Sequence, residues 1–239
     1  VELCIVTPTR NRWRWLRSQA EALAPQLADG DLWVVVADSC PVDVEVMDQV
    51  AGWLGERMAV VELSYARRGD RGCVNRARNV GTQFAKSNQS IVEVDDHDIV
   101  TPGCLDALRE AIGWAGYVYG DCHQEAVLRS PGGDFQFIEP WPDVTGEYGC
   151  GGRDVIGVRA FRKQLWDSLG GWREDVWPGG DWDFFQRAAH ELEGVDPGIV
   201  HLEQALCTVL VDADSISGHN RSAGEQATGE QATGEPCRS

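Results

Sequence analysis

At 239 residues, with 43% hydrophobic and 25% charged side chains, the chain is long enough to bury a substantial core and has an ordinary globular composition. No apolar run approaches the roughly 18 residues that span a bilayer, which argues against an integral membrane protein. A formal net charge of −17 argues against broad, non-specific binding to phosphate backbones.

The opening run "ELCIVTP" predicts a strand, and "WRWLRSQAEALAPQL" a helix with Trp15, Leu16, Ala20, Leu23 and Leu27 near helical spacing. "LWVVVADS" is a continuous apolar run of the kind buried on both faces of a sheet. A helix over "VDVEVMDQVAGWLGER", a strand over "MAVVELS", a helix over "CVNRARNVGTQFAKS" and a strand over "SIVEVDD" follow. In "TPGCLDALREAIGWA", Thr101 is the expected N-cap and Pro102 the first helical residue. "GYVYGDCHQEAV" and "GDFQFIEP" read as antiparallel or edge strands, 160–169 as a helix stopped by Gly170-Gly171, "GGDWDFFQRAAHELEG" as a helix starting near Asp181, and "HLEQALCTVLVDAD" as a last strand.

Repeated β-α-β order predicts an α/β fold, a mixed and mostly parallel sheet flanked by helices. The expected organisation is one domain over 1–221, in two halves, 1–115 and 116–221. The repeated GEQAT unit in 222–239 offers little to bury and is expected to be a flexible tail. The chain opens directly on an apolar strand, without the basic stretch and cleavage site of a secretory signal. The absent initiator Met is what a trimmed chain shows, which leaves room for a targeting segment ahead of it. Eight cysteines without a CxxC pair or regular spacing predict a reducing, cytoplasmic setting.

Ligands of such sheets collect beyond the carboxyl ends of the strands, and three strands end in polar residues: Thr7-Pro8-Thr9-Arg10, Asp38-Ser39 and Asp95 to Asp98. A strand ending in Asp-x-Asp or Asp-x-His offers hard oxygen donors and an imidazole for Mn²⁺ or Mg²⁺, and such an ion can neutralise a diphosphate. A solvated acidic turn is the plain alternative. Nine arginines cluster in "RNRWRWLR" (10–17) and "RRGDRGCVNRAR" (67–78), a wall suited to a small anionic ligand. Scattered surface arginines would give the same count.

"CIVTPTRNRWRWL", "VVVADS", "RGCVNRARNVGTQFAKSNQSIVEVDDHDIVTPGCL" and "GGWREDVWPGGDWDFFQRA", in this order, resemble a family 2 glycosyltransferase of GT-A fold. The likeness covers roughly residues 3–190 and implies transfer of a hexosyl or N-acetylhexosaminyl group from a nucleotide diphosphate sugar, with inversion by direct displacement. It implies a nucleotide site of Thr7, Pro8, Arg10, Asp38 and Arg78, joined by Arg71, Asn79 and Asp96, and favours a UDP-sugar over a GDP-sugar. Register against Pro102 gives Asp95-x-His97 as the metal pair, similar to the polypeptide N-acetylgalactosaminyltransferases, in which a distant histidine completes the site. His219 is the implied third ligand, with His201 its competitor, and Asp96-x-Asp98 is the other register. His123 and His190 read as structural or surface groups.

The family's Glu-Asp pair is Gly180-Asp181 here, so Asp181 inherits the place of the catalytic base, with Asp183 as runner-up and a helix cap as the plain reading. Trp166, Trp172, Trp177 and Trp182 fall close by and are candidates for stacking on a sugar or base, Trp182 foremost, beside ordinary core packing. The acceptor is open: a saccharide or other hydroxyl compound, or a hydroxylated base in viral DNA. A non-catalytic nucleotide-sugar-binding module is the second class. A sugar-nucleotide-forming nucleotidyltransferase is a third class, but the chain has no Gly-rich triphosphate-binding loop after its first strand.

Overall fold

The computed structural model describes residues 1–63, 74–129, 135–144, 157–176 and 179–211. Over the first half, strands and helices alternate as the apolar periodicity demands: β1 (Leu3–Thr9), α1 (Trp13–Leu23), β2 (Leu32–Asp38), α2 (Val44–Leu54), β3 (Met58–Leu63), α3 (Val74–Thr82), β4 (Ser90–Glu93), β5 (Asp98–Val100) and α4 (Cys104–Ile112). The second half adds β6 (Tyr117–Arg129), β7 (Phe135–Val144), β8 (Arg159–Arg162), α5 (Lys163–Leu169), α6 (Gly180–Glu191) and β9 (Ile199–Val211). One sheet runs β3-β2-β1-β4-β8-β6-β9-β5, with β7 beside β6. β3, β2, β1 and β4 are parallel; β8 joins antiparallel between β4 and β6, and β6 runs parallel to β9. The expected halves 1–115 and 116–221 are therefore hydrogen-bonded into one sheet.

Strand alternation sends Leu3 and Ile5 to one face and Cys4 and Val6 to the other. The first face packs α1, α2 and α4 through Leu16, Leu23, Val50, Leu105 and Leu108. The second packs α3, α5 and α6 through Ala77, Leu165, Phe184 and Ala188. Gly81 lets α3 approach β1, because a Cβ there would run into Val6 and sit 3.1 Å from Val36 Cγ2. Gly81→Ala is expected to lose stability: overpacking costs about 1–3 kcal/mol, against about 1 kcal/mol regained in helix propensity. A melting scan should show a fall of about 2–4 °C per net kcal/mol.

Four expectations need correction. Residues 160–162, expected to open a helix, belong to β8, because the backbone of 159–162 pairs with β4 on one side and β6 on the other. Short apolar runs suit either periodicity, and here the long-range pairing decides. Thr101 does not cap α4. Its hydroxyl donates to the Ala205 carbonyl at 2.7 Å, and Gly103, at φ 80°, takes the cap position. The strand over 90–96 ends at Glu93, and Asp98–Val100 is a separate strand antiparallel to β9. β6 is an interior strand rather than an edge, antiparallel to β7 and β8 as read but parallel to β9.

The described cysteines 4, 40, 104, 122 and 207 are free and buried, and burial pushes the Cys4 and Cys104 thiols up to about 12. Among the described residues no helix is long and apolar enough to cross a membrane. The segment 222–239 lies outside the described residues.

Candidate functional site

Arg78 of α3 joins the segment after β4 to the start of α6. Arg78 and Asn79, adjacent in α3, have separate tasks. Arg78, only 2% exposed, points its guanidinium at two carboxylates. Its Nη1 donates to Asp181 Oδ1 at 2.6 Å, and its Nη2 to both oxygens of Asp95 at 2.7 and 3.0 Å. Asn79 does not face the cleft: its amide donates to the Trp172 carbonyl and its oxygen accepts from the Trp172 N–H. That clamps α3 to the segment ahead of α6.

Arg159 of β8 is the member that sequence reasoning missed. Its Nη2 donates to Asp181 Oδ1 at 2.7 Å and its Nε to Glu93 Oε2 at 2.9 Å. Both guanidiniums lie over the Trp172 ring, Arg78 at 4.8 Å and Arg159 at 5.2 Å from its centroid, and Trp172 stacks on Phe184. The aromatic floor shields two like charges that the three carboxylates neutralise. Burial works against the Arg78 charge, but Asp181 and then Asp95 outweigh it and raise its pKa. Burial also pushes the Asp95 carboxyl up, and Arg78 more than reverses this, holding it below the usual carboxylate range.

Asp96 is buried and accepts from the Thr9 hydroxyl at 2.9 Å and from Arg12 at 3.1 Å, tying the end of β1 to the end of β4. His97 has Nδ1 3.4 Å from Asp96 Oδ1 and Nε2 3.9 Å from Asp98 Oδ1. Burial alone would lower its pKa, but the Asp96 hydrogen bond and the charges of Asp98, Asp96 and Asp95 hold the imidazole up at about 9. Asp98 is buried, its Oδ1 accepts no hydrogen bond among the described residues, and burial pushes its carboxyl up to about 7 against the pull of His97.

A carboxylate and an imidazole two residues apart have the donor chemistry of a divalent-ion site, and the Asp95 side chain keeps 28% exposure at the cleft. Among the described residues no three His, Cys, Asp or Glu side chains group to hold an ion. His219 and Arg71 lie outside the described residues, as does Trp177. His201 is not directed at this pair: its Nε2 lies 2.7 Å from Asp121 Oδ1 and its ring stacks on Tyr119.

Of the remaining expected nucleotide contacts, Asp38 ends β2, buried, and accepts from the Ser39 hydroxyl at 3.2 Å. Arg10 is exposed just past β1, and Pro8 is buried in it. Thr7 is turned into the core, where its hydroxyl accepts from the Trp33 indole at 2.9 Å. Trp182 stacks on Phe185, and Trp166 lies under Lys163 Nζ at 4.5 Å, whereas Trp172 is buried floor. Asp183 is tied to Arg187 at 2.9 Å, away from the arginine pair. His190 is a surface group, and His123 is exposed. Gly180 is demanded by its neighbour: a Cβ there would meet Asn75, 2.6 Å from Oδ1 and 2.9 Å from Cγ. The position ahead of Asp181 therefore offers backbone packed on Asn75 and no side chain.

No family model matches the chain. A curated Bacillus subtilis (strain 168) protein, described as the uncharacterized glycosyltransferase YwdF, is 27% identical over 150 residues, 62% of this chain and 53% of its own length. Among solved structures, S. aureus TarS 1–349 superposes with a TM-score of 0.63 at 15% identity, covering 88% of this chain and 60% of TarS 1–349. The Pyrobaculum calidifontis mannosyltransferase PcManGT, in complex with GDP-Man and Mn²⁺, gives a TM-score of 0.57 at 14% identity over 92% of this chain and 59% of its own. GalNAc-T7 with UDP, GalNAc and Mn²⁺ gives 0.60 at 12% identity, over 88% and 44%.

The chain has the GT-A fold of glycosyltransferases. It spans about half of the curated relative's length and less than two thirds of each of these structures. Within this GT-A chain, one arginine bridges Asp95, just after β4, and Asp181, at the start of α6.

Proposed function

We propose that the chain is a nucleotide-sugar glycosyltransferase that moves a hexosyl or N-acetylhexosaminyl group to an acceptor hydroxyl with inversion. The observation that carries this reading is Arg78, which bridges Asp95 at the strand ends and Asp181 at the helix start. The donor lies over the carboxyl ends of β1, β2 and β4, with Asp38 and Arg10 toward the nucleoside and Asp95 and Arg78 toward the diphosphate. UDP-sugars are the favoured donors, and the TarS and GalNAc-T7 complexes with UDP-GlcNAc and UDP support that choice over the GDP-Man of PcManGT.

Asp181 is the general base. Its carboxylate takes the acceptor proton as that oxygen bonds to the anomeric carbon, and the bond from that carbon to the diphosphate oxygen breaks on the far side. The arginine pair fixes the carboxylate for that transfer. A divalent ion held by Asp95 and His97, with His219 as third donor, would supply charge neutralisation on the departing diphosphate; the Mn²⁺ in two of the related structures supports it. The acceptor class is a saccharide or other hydroxyl compound.

A thermal-shift screen of UDP- and GDP-sugars with and without Mn²⁺ tests the reading. A ligand at 100 times its Kd adds about 2.7 kcal/mol, so a UDP-sugar with Mn²⁺ should raise the melting point by several degrees. If no nucleotide diphosphate stabilises the protein in the presence of metal, the reading is wrong. A stabilising donor that releases no nucleotide on any acceptor, nor to water, would make the chain a binding module.

A further inference from the structure

We propose that Arg159, braced by Glu93, is a positioning residue that aims the Asp181 carboxylate at the acceptor. This rests on the reading of Asp181 as the base. Oδ1 of Asp181 accepts from both Arg78 and Arg159, and among the described residues no group donates to Oδ2. The Asp181 side chain is 33% exposed, while both arginine side chains are 3% exposed. One oxygen is thus held from inside the protein, and the other is left for a hydroxyl.

The two arginines are not equivalent. Arg78 is shared with Asp95 on the donor side, so any donor that draws on Asp95 also draws on Arg78. Arg159 makes its hydrogen bonds among the described residues to Glu93 and Asp181 alone. Glu93, 1% exposed, is its in-register partner on the neighbouring strand. Adjacent donors of one planar group, Nε–H on Glu93 and Nη2–H on Asp181, fix direction as well as charge. Glu93 also lies 3.8 Å from Arg78 Nε, but Arg159 holds the base through hydrogen bonds that do not include Asp95.

The test follows nucleotide release from whichever sugar nucleotide stabilises the protein. Arg159→Met is expected to lower kcat by about 10- to 100-fold, the scale of a misplaced catalytic group. Donor KM and the donor-induced thermal shift should stay as in the parent. Arg159→Lys keeps the buried charge and so guards against simple misfolding. It should lose about tenfold in kcat, because one ammonium cannot serve both carboxylates in a fixed plane. In an Asp181→Asn background, Arg159→Met should cost nothing further, since there is no base left to aim.

A Lys variant with parental kcat, or a Met substitution whose loss multiplies with that of Asp181→Asn, overturns the proposal. If Asp181→Asn alone leaves kcat intact while the donor still binds, the base assignment has failed and this inference falls with it. That outcome is distinguishable because the single Asp181 substitution is then already silent.

Discussion

Asp181→Asn is expected to lower transfer by about 10²–10⁴-fold, the usual contribution of a positioned general base. The substitution is nearly isosteric. The amide oxygen can still accept from Arg78 Nη1 and Arg159 Nη2, now 2.6 and 2.7 Å from Oδ1. The other position becomes an NH₂ that cannot take a proton. Donor affinity, read from the melting shift with a UDP-sugar and Mn²⁺, should be unchanged, so the loss belongs to kcat. Asp183→Asn provides the contrast, because Asp183 is engaged by Arg187 on the next turn and should leave kcat within about twofold, the scale of a surface substitution.

Arg78→Met should be the most damaging substitution to stability. It strands Asp95 and Asp181 beside each other with their shared cation gone, and it removes one of the two charges stacked over Trp172. Removing one partner of a buried pair costs about 3–5 kcal/mol. The lower end applies here, because Asp95 and Asp181 keep 28% and 33% exposure and water can screen them in part. Calorimetry should show a melting point lower by roughly 6–12 °C. If Arg78→Met melts like the parent, the bridge contributes nothing and the carboxylates hold their places by other means.

The first half of the fold was legible because its strands are uninterrupted apolar runs and its helices carry a clear stripe, as in Trp13, Leu16, Ala20 and Leu23 of α1. The second half resisted for a different reason. "RAFR" has no local mark of a strand; it is one because β4 and β6, far apart in sequence, each offer it an unpaired edge. With the strand missed, Arg159 was missed too, since only strand alternation carries its side chain to the α6 face beside Tyr119. The Thr101 cap failed by the same logic, as the hydroxyl is directed to a carbonyl 104 residues away.

At the site, the resemblance favoured Asp95 and His97 as the metal pair, with Asp96 and Asp98 as the other register. Burial sorts them: Asp96 joins two strand ends and Asp98 is enclosed, leaving Asp95 at the cleft. The role of Gly180 was invisible for want of its neighbour, since nothing in "GGDW" announces that Asn75 fills the adjacent space.

Glu93, Arg159, Tyr119 and His201 form one transverse row, each paired in register with the next across β4, β8, β6 and β9. The side chains that meet Asp181 therefore inherit the parity of the sheet. An insertion or deletion of one residue within 157–161 would turn Arg159 to the Ala160 side and bring an alanine or valine toward Asp181, with every hydrogen bond of the ladder still available. The length of this short strand is thus held by an arginine that can serve from only one side.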